Sequence, residues 1–350
     1  LSIRRQRQMC IRDRYCTELG LSINPTKCEV VVFGRSNSWP RQSWQVAGMA
    51  LKRASQFKYL GVVLHGGRGI KATVEHRLES MSKAQSCVYR RLRQMHSHRE
   101  PTLTADLFDS ISRAAGDYGC EVWSTPWLNG WHLHDCSLQR YHTSILKRCL
   151  GVKMQTSNLL TLFECGKYPL QVHWLVRVVK YWNKLVTKAA GSDLLTETLK
   201  ANVHLGINEG CSCWSKELAQ GLHLAAPQQD WQAHLSELKQ IDCKAIEEAI
   251  KSGFRNTIDQ FVHDPKDPQC EHRSHCCYNQ WMFATTERDK LQAPAYLTLP
   301  CSSRLKTSAA RFRLNNAPIR CNVDHGLGYS DRICTRCNNN QVDNEYHVLF

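Results

Sequence analysis

Two cysteines separated by two residues, Cys334 and Cys337, place two thiolates on one tight turn, with Arg336 between them. After nine intervening residues His347 adds an imidazole. Two thiolates and one imidazole are three of the four ligands of a tetrahedral zinc site, so the expected centre is incomplete. A second group, Cys270, His272, His275, Cys276 and Cys277, has the composition of a metal site without a standard spacing. Its default reading is ordinary thiols, and Cys211-x-Cys213 is weaker still. No two aspartates are adjacent in the chain.

The 18 cysteines lie in a chain of 350 residues whose start carries no secretory signal pattern, so reduced thiols and metal ligation are expected rather than a disulfide scaffold. At 42% hydrophobic the composition excludes wholesale disorder. The longest apolar run, Val172–Val179, is interrupted by Arg177 and is too short to cross a bilayer. Charge is the strongest compositional signal. The formal net charge is +15, and residues 1–150 hold 23 basic against 11 acidic side chains. A front half that basic suits a polyanionic partner, with a plain cationic surface as the alternative.

Met9-Cys10-Ile11-Arg12-Asp13-Arg14 is similar to the translation of a transposase mosaic end used in sequencing libraries, so residues 1–14 are set aside as an artefact. Without them, residues 15–150 remain at +8. Cys28–Phe33 reads as a buried strand. Residues 43–46 and 49–51 flank Ala47-Gly48 as a hairpin-like pair, and residues 57–64 read as a further strand. Helical periodicity then takes over. Val74, Leu78, Met81, Gln85, Val88, Leu92 and Met95 form a stripe with one polar lapse. Arg77, Lys83, Arg90, Arg91 and Arg93 fall outside that stripe and are expected on the exposed side. Further helices are expected over residues 103–118, 134–150, 170–190, 231–250 and 254–261, with a linker at 264–268. Trp123, Trp127 and Trp131 are expected to anchor loops in the core rather than stack on bases. The fold class is therefore mainly α with a small β-rich N-terminal block.

Three stretches, together with a helical region between the second and third that includes Leu107-Phe108-Asp109-Ser110, resemble in this order the reverse transcriptases of non-LTR (LINE-like) retrotransposons. Leu19-Gly20-Leu21-Ser22-Ile23-Asn24-Pro25-Thr26-Lys27, continuing to Phe33, is similar to the segment after the catalytic palm motif. Phe57-Lys58-Tyr59-Leu60-Gly61-Val62 resembles the hairpin that grips the primer strand. Tyr118-Gly119-Cys120-Glu121-Val122-Trp123 is similar to the region following the thumb. Residues 332–337 with Asp343-Asn344-Glu345-Tyr346-His347-Val348-Leu349-Phe350 resemble the family's closing zinc knuckle.

The resemblance implies the end of a palm over residues 15–66, a helical thumb over 67–150 and a helical connector over 151–263. A linker and helical segment over 264–331 and a truncated zinc knuckle over 332–350 would follow. It implies RNA and DNA as partners (primer-template and element RNA), no membrane and no small-molecule substrate. Lys58, Tyr59, Leu60 and Gly61 would meet the primer, while Arg77, Lys83, Arg90, Arg91 and Arg93 would meet phosphates. Zn²⁺ would sit on Cys334, Cys337 and His347, with a fourth cysteine of the knuckle beyond Phe350. Mg²⁺ would belong to the intact parent, whose aspartates precede the first stretch. Lys27 occupies the place of a lysine that protonates leaving pyrophosphate, but a surface lysine before a strand fits it equally. The function implied is the C-terminal part of an RNA-directed DNA polymerase (a transferase), inactive alone, in the nucleus and cytoplasm. The rival readings are a stand-alone zinc-dependent nucleic-acid-binding protein and a decayed copy without function.

Overall fold

The computed structural model describes residues 14–15, 18–21, 24, 27–33, 44–46, 49–97, 100–262, 291–314, 316–324, 326–337, 339–343 and 347–348. The expected linker at 264–268 and the group Cys270, His272, His275, Cys276 and Cys277 lie outside them. The chain divides into two compact units, Leu1–His76 and Arg77–Phe350. The described part is mainly helical with three two-stranded sheets.

In the first unit, β1 (Glu29–Val31) pairs in parallel with β4 (Lys52–Ala54). The hairpin expected around Ala47-Gly48 is β2 (Gln45–Val46) with β3 (Met49–Ala50), Val46 opposite Met49. Two readings change here. Val30 and Val31 are half-buried rather than buried; among the described residues β1 is hydrogen-bonded to β4 alone, in a two-stranded sheet. Residues 57–64 are not one strand but a hairpin of β5 (Gln56–Tyr59) and β6 (Val62–His65), with Tyr59 opposite Val62. Gly66 follows where a side chain has no room: a Cβ there would meet the Val32 carbonyl oxygen at 2.3 Å.

α1 spans Ile70–Gln94, close to the expected stripe, although Met95 lies past its end and is exposed. Thr73 donates to the Val63 carbonyl at 2.7 Å within the first unit. In the second unit Met81, Gln85, Val88 and Leu92 are buried. The polar lapse at Gln85 is used, because its Oε1 accepts from the buried Ser112 hydroxyl at 2.7 Å.

The helix expected over 103–118 is α2 (Pro101–Leu107), a wide π-type turn (Phe108–Ser112) and α3 (Arg113–Gly116). The wide turn sets Phe108 flat against His142, ring centroids 4.9 Å apart. α4 (Cys120–Trp123) and α5 (Ser137–Leu150) follow. Then come α6 (Asn158–Glu164) and α7 (Leu170–Ala189), which buries Trp174, Leu175, Val178, Val179 and Trp182. Arg177, the break in its apolar run, clamps Glu121 at 2.6 Å. Trp123 packs edge-on against Trp174, and Trp131 packs on Phe254 and donates to Thr257 at 3.1 Å, so both anchor the core as expected.

α8 (Asp193–Ile207) and α9 (Trp214–Ala225), which the periodicity does not single out, precede a further region where it misjudges the helix bounds. Residues 231–250 form α10 (Trp231–Ser236) and the start of α11 (Cys243–Val262), which absorbs the helix expected at 254–261. Two competing groups stop the first and start the second. The Trp182 indole N–H takes the Lys239 carbonyl at 2.9 Å, and Asp242 accepts from the amides of Lys244 and Ala245 as an N-cap. α12 (Ala295–Thr298), α13 (Ser303–Arg313) and α14 (Arg320–Val323) complete the described helices.

One buried carboxylate ties α13 to the core. Glu164 has no solvent exposure and accepts from Arg313 at 2.5 and 3.1 Å and from the Tyr296 hydroxyl at 2.6 Å. Removing one partner of a buried pair costs about 3–5 kcal/mol, because the other charge stays buried without compensation. Arg313→Met is therefore expected to lower unfolding stability by about that amount in urea, with part recovered in Glu164→Gln/Arg313→Met. A loss below about 1 kcal/mol would contradict the assignment.

A second expectation concerns acid. Burial pushes His142 down to about 3, with Asp109 opposing and His173, Arg113 and Lys167 assisting. Burial and Arg113 push His173 down to about 4. Neither ring nitrogen of His142 has a hydrogen-bond partner among the described residues. The unfolded chain binds these protons near 6.5 and the folded one does not, so stability falls as pH drops from about 6.5 towards 3. Asp117, raised to about 6 by burial, works in the opposite sense. The readout is therefore the difference from His142→Phe, whose urea midpoint should fall less between pH 7 and 5. An identical fall in both chains would refute it.

Candidate metal centre and nucleic-acid interface

Cys334, Cys337 and His347 come together. One ligand atom from each lies within 4.8 Å of the others, and Cys337 Sγ is 3.1 Å from His347 Nε2. A Zn–S bond of ~2.3 Å and a Zn–N bond of ~2.0 Å at the tetrahedral angle separate S and N by about 3.5 Å. The donor set and its spacing thus fit one small cation with soft-ligand preference, and three positions are filled by protein.

The local fold explains the convergence. Ile333 and Val342 form an antiparallel bridge, reinforced by Cys334 N–H to the Gln341 carbonyl and Asp343 N–H to the Arg332 carbonyl, both at 2.8 Å. The turn between carries Cys337. The Arg336 amide donates to Cys334 Sγ at 3.4 Å, which orients the sulfur within the turn. This turn is itself anchored. Arg332 reaches the carbonyls of Cys321 and Leu327 at 2.9 Å, and Arg336 reaches the Pro318 carbonyl at 3.3 Å. Residues 338–341 read as wholly polar in sequence, yet Gln341 bonds both arms of the site.

The other cysteine pair does not form a centre. Cys211 is exposed, and Cys213 donates to the Asn202 carbonyl at 3.3 Å. No disulfide joins the described cysteines.

In the first unit, Lys58, Tyr59, Leu60 and Gly61 form the end of the β5–β6 hairpin. Tyr59 is 58% and Leu60 73% exposed. Strand alternation would bury one of them, but the strand ends at Tyr59 and Leu60-Gly61 is the two-residue turn. Both turn residues have positive φ, 45° at Leu60 and 86° at Gly61, the signature of a type I′ hairpin. Glycine suits that geometry; leucine does not. Lys27 is exposed at the entry to β1, its amide donating to the Asn24 carbonyl at 3.2 Å.

In the second unit, Lys83, Arg90, Arg91 and Arg93 are exposed on α1 as expected. Lys83 pairs with Glu79 at 2.6 Å, which offsets its contribution to any positive face. Arg77 departs from the expectation. It is only 6% exposed, with its guanidinium 5.5 Å from the centre of the Tyr118 ring, and burial lowers its pKa. At 100° per residue Arg77 lies about 20° from Val88 around the helix, so it belongs to the edge of the buried stripe. Its cation faces an aromatic ring instead of solvent, and it drops out of the candidate phosphate contacts.

No helix among the described residues is long and apolar enough to cross a membrane. No protein-family model matches the chain, and neither a curated protein nor a solved structure does.

The strained turn yields a direct test. Asparagine tolerates the left-handed region that leucine resists, at a difference of about 1 kcal/mol. Leu60→Asn is therefore expected to slow amide exchange across β5 and β6, and Leu60→Val to accelerate it. Faster exchange in Leu60→Asn would contradict the turn.

Proposed function

We propose that the chain is the C-terminal part of an RNA-directed DNA polymerase of a non-LTR retrotransposon. On this reading it supplies grip on primer-template and element RNA, not chemistry. The β1–β6 block is the end of the palm, with Lys58-Tyr59-Leu60-Gly61 as the primer-grip turn. α1 to α5 form the thumb, and the helices after them a connector to a zinc knuckle. The observation that carries the reading is the convergence of Cys334, Cys337 and His347 at the end of the order of motifs that the family shows. Zn²⁺ held there would supply folding energy to the segment rather than a reactive water. On this reading Lys27 is a surface lysine at the entry to β1, where it is exposed.

Nucleic-acid contact is assigned to the exposed Arg90, Arg91 and Arg93, with Lys83 contributing less because of Glu79. Their contacts go to phosphates, which position a duplex without reading its bases. The exposed Leu60 and Tyr59 supply apolar and stacking surface at the primer end.

Binding to an RNA–DNA primer-template, followed by fluorescence anisotropy, tests the reading. Affinity should fall linearly in log–log salt, with no sequence preference. Substituting Arg90, Arg91 and Arg93 by Ala should reduce that slope by about 2–3, at roughly 0.9 per phosphate on B-DNA and somewhat less on single strands. Arg77→Met should leave the slope unchanged. Salt-independent affinity, or no binding at low salt, would contradict the proposal.

A further inference from the structure

We propose that Gln341 is the positioning residue of the metal centre: its side-chain oxygen selects the His347 tautomer that ligates through Nε2. This inference rests on the zinc reading above. Gln341 is bonded to both arms of the site. Its backbone carbonyl accepts from the Cys334 amide at 2.8 Å, and its Oε1 lies 2.8 Å from His347 Nδ1. An amide oxygen only accepts, so Nδ1 carries the hydrogen. The lone pair of the neutral ring is then on Nε2, the nitrogen 3.1 Å from Cys337 Sγ and the one that faces the ligand cluster. The far ring N–H of a ligating histidine needs such an acceptor, and losing it typically costs 10–100-fold in metal affinity. Here the acceptor is an amide, which orients the ring without adding charge.

Gln341 also sets the distance between ligand arms. The Cys334 main-chain bond fixes where residue 341 sits relative to the Cys334–Cys337 turn, and the side chain then draws the imidazole to that turn. Substitutions of the side chain leave the main-chain bond in place, so the two roles are separable.

The test uses the full chain and Zn²⁺ alone, titrated against a competing chelator, with Cys334→Ser/Cys337→Ser defining zinc held elsewhere. Gln341→Leu should weaken the site roughly 10–100-fold, while Gln341→Glu, which restores an acceptor, should match or exceed the unaltered chain. Nitrogen-15 spectra of the zinc-loaded chain should show His347 protonated at Nδ1 and metal-bound at Nε2, with that preference lost in Gln341→Leu. A merely structural glutamine would not be rescued by glutamate and would not move the tautomer. Unchanged affinity in Gln341→Leu, or ligation through Nδ1, overturns the inference while leaving the zinc reading intact. No zinc above the serine background in the unaltered chain overturns both.

Discussion

A carboxylate with no access to water must be neutralised where it sits, and Glu164 is such a group. Its partners come from two later helices, Tyr296 on α12 and Arg313 on α13. That requirement registers the last part of the chain against the helical core. Around it, weaker contacts follow the same register. Lys306 pairs with Glu100 at 2.9 Å, Arg311 donates to the Gly151 carbonyl at 2.7 Å, and Asn316 accepts from the Lys153 amide and the Thr156 hydroxyl. Pro318 and Cys321, whose carbonyls receive Arg336 and Arg332, lie directly downstream. The metal turn therefore rests on a segment fixed by one buried ion pair, and its own polar sequence need not supply the folding energy alone.

The second unit repeats a simple device around its tryptophans. Apart from Trp127, whose buried indole nitrogen has no acceptor among the described residues, each described ring packs in or against the core while its indole N–H finds a specific acceptor. Trp174 takes Asp117 at 2.6 Å, Trp182 the Lys239 carbonyl and Trp214 the Glu121 carbonyl. The first two bonds fix which side of α7 meets the turn before α4 and the 237–242 connection, and the third joins α9 to α4. Apolar burial stabilises the helices; the indole bonds choose among their packings.

Much of this is legible in the sequence. The 3.6-residue stripe finds α1, and the apolar run around Arg177 finds α7, because burial of one face is a local pattern. The Cys-x₂-Cys and histidine spacing finds the metal group. Other features depend on partners distant in sequence. The break before α11 is dictated by Trp182 and Asn183, some sixty positions earlier, which take Lys239 and Ile241; Asp242 was its one local sign. Arg77 reads as a surface cation until Tyr118 covers it. Leu60 in a left-handed turn contradicts its own propensity, and only pairing of Tyr59 with Val62 reveals the turn. Gln341 lies in a featureless polar run, and its role exists only once two ligand arms fold around it.

The functional account depends most on what Cys334, Cys337 and His347 hold. Zinc K-edge X-ray absorption on the purified, zinc-loaded chain reads this directly. The account predicts two sulfur neighbours at ~2.3 Å and nitrogen or oxygen neighbours at ~2.0–2.1 Å, with the sulfur signal reduced in Cys337→Ser. An all-oxygen shell, or a sulfur shell unaffected by Cys337→Ser, would contradict it.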